Sequence, residues 1–369
     1  MKADAIALPL SAASPASAWP FERSELTAAL RRHLSAPDLI IERVWDAPLP
    51  SRPAVGSIRG LRVSVLAGGE QRELAFVLKQ PQGATRTGLA GVGRREIGLY
   101  ERLAIDLPVK TPTLVAAARD GSWLVLEMLE PGPAPESWTA ENYTRAVYEL
   151  ATVHDRFWGL GEDLAAFPWL GRPLAAEYEV YIMAAATAFE SLVFGDRLAL
   201  ITSDPDHVTA LSRLISQADK VASVLRAEPQ TLVHGDYWPG NIDAANPTEH
   251  VVFDWQLVGI GPGVLDLVAF VTKSRWWFGA LPLSPAQLVR QYRGLIADRT
   301  GRAWSDDAWA RVWDYALMWN FATEWLGLLA AAPPALIQTR REALESVWLQ
   351  PVLAAIGRRL EKWSVPIIR

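Results

Sequence analysis

The fold turns on Leu232-Val233-His234-Gly235-Asp236-Tyr237-Trp238-Pro239-Gly240-Asn241 and, further on, Val251-Val252-Phe253-Asp254. In each segment a short apolar run, suited to a buried strand, ends in a loop that carries an aspartate. If the strands Thr231–Val233 and His250–Phe253 pair as neighbours, their C-terminal ends meet. Asp236, Asn241 and Asp254 then gather at one end of a small sheet. Asn241 and Asp254 would offer oxygen ligands of the kind that suit Mg2+, which keeps waters and shares substrate phosphates. Asp236 would be left to orient a nucleophile. Singly, each aspartate is also compatible with a turn or a helix cap. The joint spacing points to chemistry.

Outward from this island the chain has two textures. Upstream, a short helix is expected over Glu22–Ser35, with Leu26, Leu30 and Leu34 at helical spacing. Strands are expected at Gly60–Leu66 and Arg72–Gln80 around Gly68-Gly69, and again at Thr113–Ala118 and Ser122–Met128. One helix, Gly93–Leu103, lies between these pairs. At Glu130-Pro131-Gly132-Pro133 the pattern changes to long helices: Thr139–Phe157, Ala175–Val193 and Asp206–Arg226. Beyond the island come Gly263–Lys273, Ser284–Ile296, Asp306–Leu329 and Leu336–Glu361. The reading is α+β and bilobal. Residues 1–20 form a mobile tail, 21–130 a small β-rich lobe with one marked helix, and 131–369 a larger, mainly helical lobe holding one small sheet.

Composition agrees. At 369 residues the chain is long enough to split its core. Half of it is hydrophobic and 21% is charged, which suits a folded globular protein. The absence of cysteine excludes disulfides, thiolate zinc sites and a cysteine nucleophile, and fits a reducing compartment, hence a cytoplasmic location. No apolar run is long enough to span a membrane. The net charge of −5 argues against nucleic acid as the main partner.

With these residues in view, His234-Gly235-Asp236-(four residues)-Asn241 followed by Asp254-Trp255-Gln256 resembles the aminoglycoside phosphotransferase-like superfamily. Gly261-Pro262-Gly263 and Asp266-Leu267 look closest to its ecdysteroid-kinase-like branch and bacterial relatives. The resemblance runs from about Gly56 to Leu329. It implies the bilobal protein-kinase-like fold and ATP-dependent phosphorylation of a small-molecule hydroxyl, with ATP and Mg2+ as cofactors. It also implies roles residue by residue. Lys79, ending the apolar run Leu74-Ala75-Phe76-Val77-Leu78, would reach the nucleotide phosphates. Glu96 would pair with it from the helix. The main chain of Glu127 and Leu129 would meet adenine. Asn241 and Asp254 would hold Mg2+, and Asp236 would serve the acceptor hydroxyl. Asp266 would brace the catalytic loop, with His234 and His154 as structural histidines. Taken alone, Lys79 could instead guard a sheet edge, and Glu96 could be a solvated helix residue. Two departures stand out. Asp254 is followed by Trp255-Gln256 where protein kinases have Phe-Gly. Gly56, Ser57 and Gly60 remain of the glycine-rich nucleotide loop.

Rival motifs are absent. There is no phosphate-binding Gly-x-x-x-x-Gly-Lys-Ser/Thr, no Gly-x-Ser-x-Gly elbow and no His-x-x-x-His pair. Gly259-Ile260-Gly261-Pro262-Gly263 lacks the last glycine of a dinucleotide fingerprint, because Val264 holds that place. The remaining rival is a kinase-like fold that binds nucleotide or ligand without turnover. The acceptor stays open among aminoglycosides, sugars, natural-product hydroxyls and choline- or sterol-type alcohols. Trp309, Trp313, Trp319 and Trp325 could be core or a flat wall for a ring. Trp238, Trp276 and Trp277 are further candidates for such a wall.

Overall fold

The computed structural model describes residues 19–49, 57–81, 89–195 and 198–361. Residues 1–18 of the expected tail, and Gly56, lie outside them. Trp19 does not hang free: it stacks on Phe21 at 5.7 Å, with the Arg59 guanidinium 4.8 Å above its ring.

Helix α1, Arg23–His33, starts with a reciprocal cap between Glu22 and Glu25, and buries Leu26, Ala29 and Leu30 on one face. Strand β1, Ile40–Ala47, follows. Nothing in the sequence marks it as a strand, for a physical reason. It is the outer strand of the sheet, only Ile41 is buried, and Glu42, Arg43 and Asp46 interrupt its pattern. Strands β2, Ser57–Ala67, and β3, Glu70–Gln80, form the long hairpin. Helix α2, Val92–Arg102, precedes β4, Leu114–Ala117, and β5, Leu124–Glu127. The antiparallel order is β1-β2-β3-β5-β4.

Alternation along the strands assigns the two faces to two cores. Leu61, Val63, Leu78 and Val125 pack with α1 in a small core. Leu124 and Leu126 face the other way and join Ile97, Leu99 and Tyr100 of α2 in the large core of the helical lobe. Lys79, next to Leu78 in β3, therefore turns toward α2.

After the linker, α3 spans Ala140–Arg156. The helical pattern expected over Asp206–Arg226 is two helices, Pro205–Ser216 and Ala218–Arg226, separated at Gln217. Four short strands make the island: β6, Thr231–Val233; β7, Ile242–Asp243; β8, Val251–Val252; and β9, Gly259–Gly261. Here the expected neighbours do not pair. β6 runs antiparallel to β9, and β7 to β8. Chain connectivity explains this: β7 and β8 are joined by a short hairpin, while β9 returns from the Asp254 turn to reach β6.

The last third is helical: Val264–Phe278, Pro285–Thr300, Asp306–Asn320, a π turn at Phe321–Trp325, Leu326–Ala331 and, finally, Gln350–Arg359. Trp309, Trp319 and Trp325 are buried, so that stripe is mainly core. Trp325 lies 4.9 Å from the Trp276 ring and 4.4 Å from Trp348. Among the described residues no helix is long and apolar enough to cross a membrane.

Candidate active site

Lys79 leaves β3 on the side of α2 and meets two carboxylates. Its Nζ lies 2.6 Å from Glu96 Oε2 and also bonds Asp254 Oδ1. Glu96 is fully buried and Lys79 nearly so. Burial works against the Lys79 ammonium, but the charges of Asp254 and Glu96 outweigh it and hold its pKa above the ordinary lysine range. Burial likewise pushes the Glu96 carboxyl up, with the Lys79 ammonium only partly offsetting it. A buried cation is tolerated only when paired in this way. Helix α2 is itself fastened to the large lobe. Arg95 pairs with Glu177, and the helix packs on the turn Trp255–Leu257.

The loop after β6 is built on Gly235 and Asp266. Gly235 has φ +81°, and a β-carbon there would stand 2.4 Å from the Leu257 carbonyl oxygen, so only glycine fits. Asp266, in the first turn of Val264–Phe278, accepts the N–H of His234 at 2.7 Å and of Gly235 at 2.9 Å. His154 lies 3.3 Å from the same carboxylate and 2.8 Å from the Tyr292 hydroxyl. Burial opposes the Asp266 charge, yet these donors outweigh it and the carboxyl lies below the ordinary aspartate range. His234 accepts the Asp236 N–H at Nδ1, 3.1 Å, so its proton is on Nε2, which faces the Phe253 carbonyl at 3.0 Å. Burial holds this imidazole below its ordinary range, against the pull of Asp266 and Asp236.

The two aspartate loops meet although their strands do not pair. The Phe253 N–H donates to the Asn241 carbonyl at 3.0 Å, and Asp254 is the next residue. Asn241 turns its Nδ2 to the carbonyl and to Oδ2 of Asp236, both at 2.9 Å. Its Oδ1 is thereby left as an acceptor. Asp254 adopts φ 63°, a left-handed conformation rare outside glycine and found where a site over-determines it. Among the described residues no three acidic, histidine or cysteine side chains form a metal cage. A pair of oxygen donors, Asn241 Oδ1 and the Asp254 carboxylate, does fit an ion that takes its other ligands from phosphates and water.

The outer candidates are less engaged. Glu127 ends β5 with its N–H on the Thr113 carbonyl at 3.0 Å. Leu129 lies just beyond, in the linker, which Asp243 ties down through the Gly132 N–H at 3.1 Å. Ser57 opens β2 opposite Gln80, one register step from the Ile58–Lys79 pair. Its side chain therefore lies on the sheet face opposite Lys79.

Residues 52–312, more than half of the chain, match the family described as "Phosphotransferase enzyme family". The chain belongs to the phosphotransferase enzyme family. The gentamicin-APH(2'')-IIa complex is 13% identical over 89% of this chain and 98% of that one, with a TM-score of 0.50. An aminoglycoside phosphotransferase from Alicyclobacillus acidocaldarius is 16% identical over 84% and 92%, at 0.49. The choline kinase LicA from Streptococcus pneumoniae is 13% identical over 86% and 98%, at 0.46. At 13% identity the likeness to the gentamicin complex is one of fold. No curated protein matches the sequence.

One further residue touches the candidate site of this phosphotransferase without any motif to announce it. Lys273 is buried, bonds Asp236 Oδ1 and lies 2.5 Å from Glu324 Oε1. A signal was there to be read. The chain has six lysines, and Lys273 is the one that closely follows the apolar run Leu267-Val268-Ala269-Phe270-Val271, seven residues after Asp266. Beside it, Trp238 stacks on Phe278 at 6.0 Å and lies 6.3 Å from Trp277, all three half-buried.

Proposed function

We propose that this chain transfers the γ-phosphoryl group of ATP to a hydroxyl of a small molecule. The observation that carries the reading is the convergence of three distant stretches. Lys79 of the sheet bonds Asp254 of one loop, and that loop is hydrogen-bonded to Asn241, which in turn holds Asp236.

In this reading Lys79, steadied by Glu96, neutralises phosphate charge, and the main chain of Glu127 and Leu129 meets adenine. Asn241 and Asp254 would hold Mg2+, which when bound supplies charge neutralisation and alignment of the phosphates. Asp236 orients the acceptor hydroxyl and receives its proton. The hydroxyl oxygen bonds to the γ-phosphorus as the bond to the bridging oxygen breaks, and ADP leaves. Positioning and charge stabilisation carry most of such a reaction, so few groups suffice. The partly exposed aromatic group Trp238, Trp277 and Phe278 favours an acceptor with a flat apolar face near its hydroxyl.

The test is ATP consumption with Mg2+ against a library of hydroxyl compounds, with the phosphorylated product identified by mass. Asp236→Ala should lower turnover ~10²–10⁴-fold while ATP still binds. A wild-type protein that binds ATP and phosphorylates nothing would favour the non-catalytic alternative. Near-full turnover in the variant would remove Asp236 from its role.

A further inference from the structure

Among the described residues two lysines are buried, Lys79 and Lys273, and their surroundings repeat. Each ammonium stands between a loop aspartate and a helical glutamate: Asp254 and Glu96 for one, Asp236 and Glu324 for the other. Burial alone would disfavour the Lys273 charge, but the two carboxylates outweigh it and hold its pKa above the ordinary lysine range. Lys273 is therefore a fixed ammonium on the Asp236 side of the site, as Lys79 is on the Asp254 side.

Glu324 arrives by an unusual route. The helix Asp306–Asn320 widens into the π turn Phe321–Trp325 before α geometry resumes at Leu326. A second π segment, Leu344–Leu349, packs in the core, so what distinguishes this turn is the side chain it delivers. Here the turn keeps Phe321, Ala322 and Trp325 buried while bringing Glu324 onto Lys273. Glu324 stays partly exposed, so its charge is not forced inward by packing alone.

The consequence falls on Asp236. Its Oδ2 accepts from Asn241 of the same loop, and its Oδ1 from Lys273 on a core helix 37 residues away. The loop supplies one anchor and the rigid lobe the other. An ionised carboxylate has about four acceptor positions, so two bonds leave room for a hydroxyl.

We propose that Lys273, tethered by Glu324, is a positioning residue that fixes the Asp236 carboxylate and sets a positive charge beside the point of phosphoryl transfer. The inference rests on the role given to Asp236 above. Glu324 takes up part of the ammonium charge, so that Lys273 holds Asp236 without closing it to the acceptor.

The experiment compares wild type, Lys273→Met, Lys273→Arg, Glu324→Gln and the Met/Gln double variant. Phosphate release from Mg2+-ATP with water as acceptor, and transfer to whichever library compound is phosphorylated, are measured beside thermal unfolding. Lys273→Met should lower kcat ~10²-fold and leave KM for ATP nearly unchanged. Lys273→Arg, which keeps the charge, should recover roughly a tenth of the wild-type kcat or more. Glu324→Gln, at a partly exposed position and so safe for folding, should cost about 10-fold and add nothing to Lys273→Met, since both act through one carboxylate. Wild-type kcat in Lys273→Met or in Glu324→Gln overturns the proposal. So does a loss shared by kcat, KM and unfolding temperature that arginine does not repair, because the lysine then only supports the fold. A wild type that binds ATP yet transfers to neither water nor any hydroxyl overturns the kinase reading itself.

Discussion

Asp254 and Gly235 hold the two left-handed positions on which the site depends, and they differ in what they tolerate. Asp254 has an open αL conformation that asparagine also adopts readily, so its charge can be removed without moving its backbone. Gly235 has no such latitude, because a side chain there would strike the Leu257 carbonyl. Gly235→Ala should cost about 1–3 kcal/mol in urea unfolding and remove turnover with it. A variant as stable and active as wild type would show that the loop relaxes freely. At this scale the sequence was informative where a charge ended an apolar run. Lys79 after Leu78, and Asp254 after Phe253, stand out as ionisable groups that a strand delivers to an edge. Lys273 did not stand out, because a lysine in a helix is ordinarily read as surface. Only the packing of Val264–Phe278 on both sides makes it a buried cation.

The elements around the catalytic loop form a brace whose charges set its pH response. His234 and Asp266 both have folded-state pKa values below their unfolded ones. For a depressed group, stability is fully present above the unfolded value and is lost as pH falls through the folded one. The stability these two groups contribute should therefore be full above pH 6.5, the unfolded histidine value, and decline on acidification, first through His234 and then, below pH 3.8, through Asp266. His234→Gln should flatten the first part of that decline in unfolding temperature measured across pH. An unchanged slope would mean that His234 keeps its proton affinity on folding. The element scale is also where the sequence misled. The apolar runs at β6 and β8 are too short to declare partners: hairpin closure gave β8 to β7, and the return of the chain after Asp254 gave β9 to β6. Strand β1 was illegible because a sheet edge shows little apolar alternation.

Across the whole molecule, the two cores do not divide at the linker. Helix α2 and the inner face of β5 belong to the large core, so Glu96 is carried by an element fastened to the helical lobe through Arg95–Glu177, while Lys79 comes from the sheet. The Lys79–Glu96 pair thus ties the sheet to a helix packed into the large core. The two-lobed plan was legible from the change of texture near Glu130. The shared core was not, since it depends on which face of β5 points where.

In the proposed reaction Asp254 and Lys79 face a metal-bound nucleotide between the lobes. Calorimetric titration of ATP into wild type and Asp254→Asn, each with Mg2+ and with EDTA, tests it directly. Wild type should bind ATP more tightly with Mg2+ than without, and Asp254→Asn should erase that difference while still folding. A variant that keeps the full Mg2+ dependence would place the nucleotide elsewhere and contradict the account.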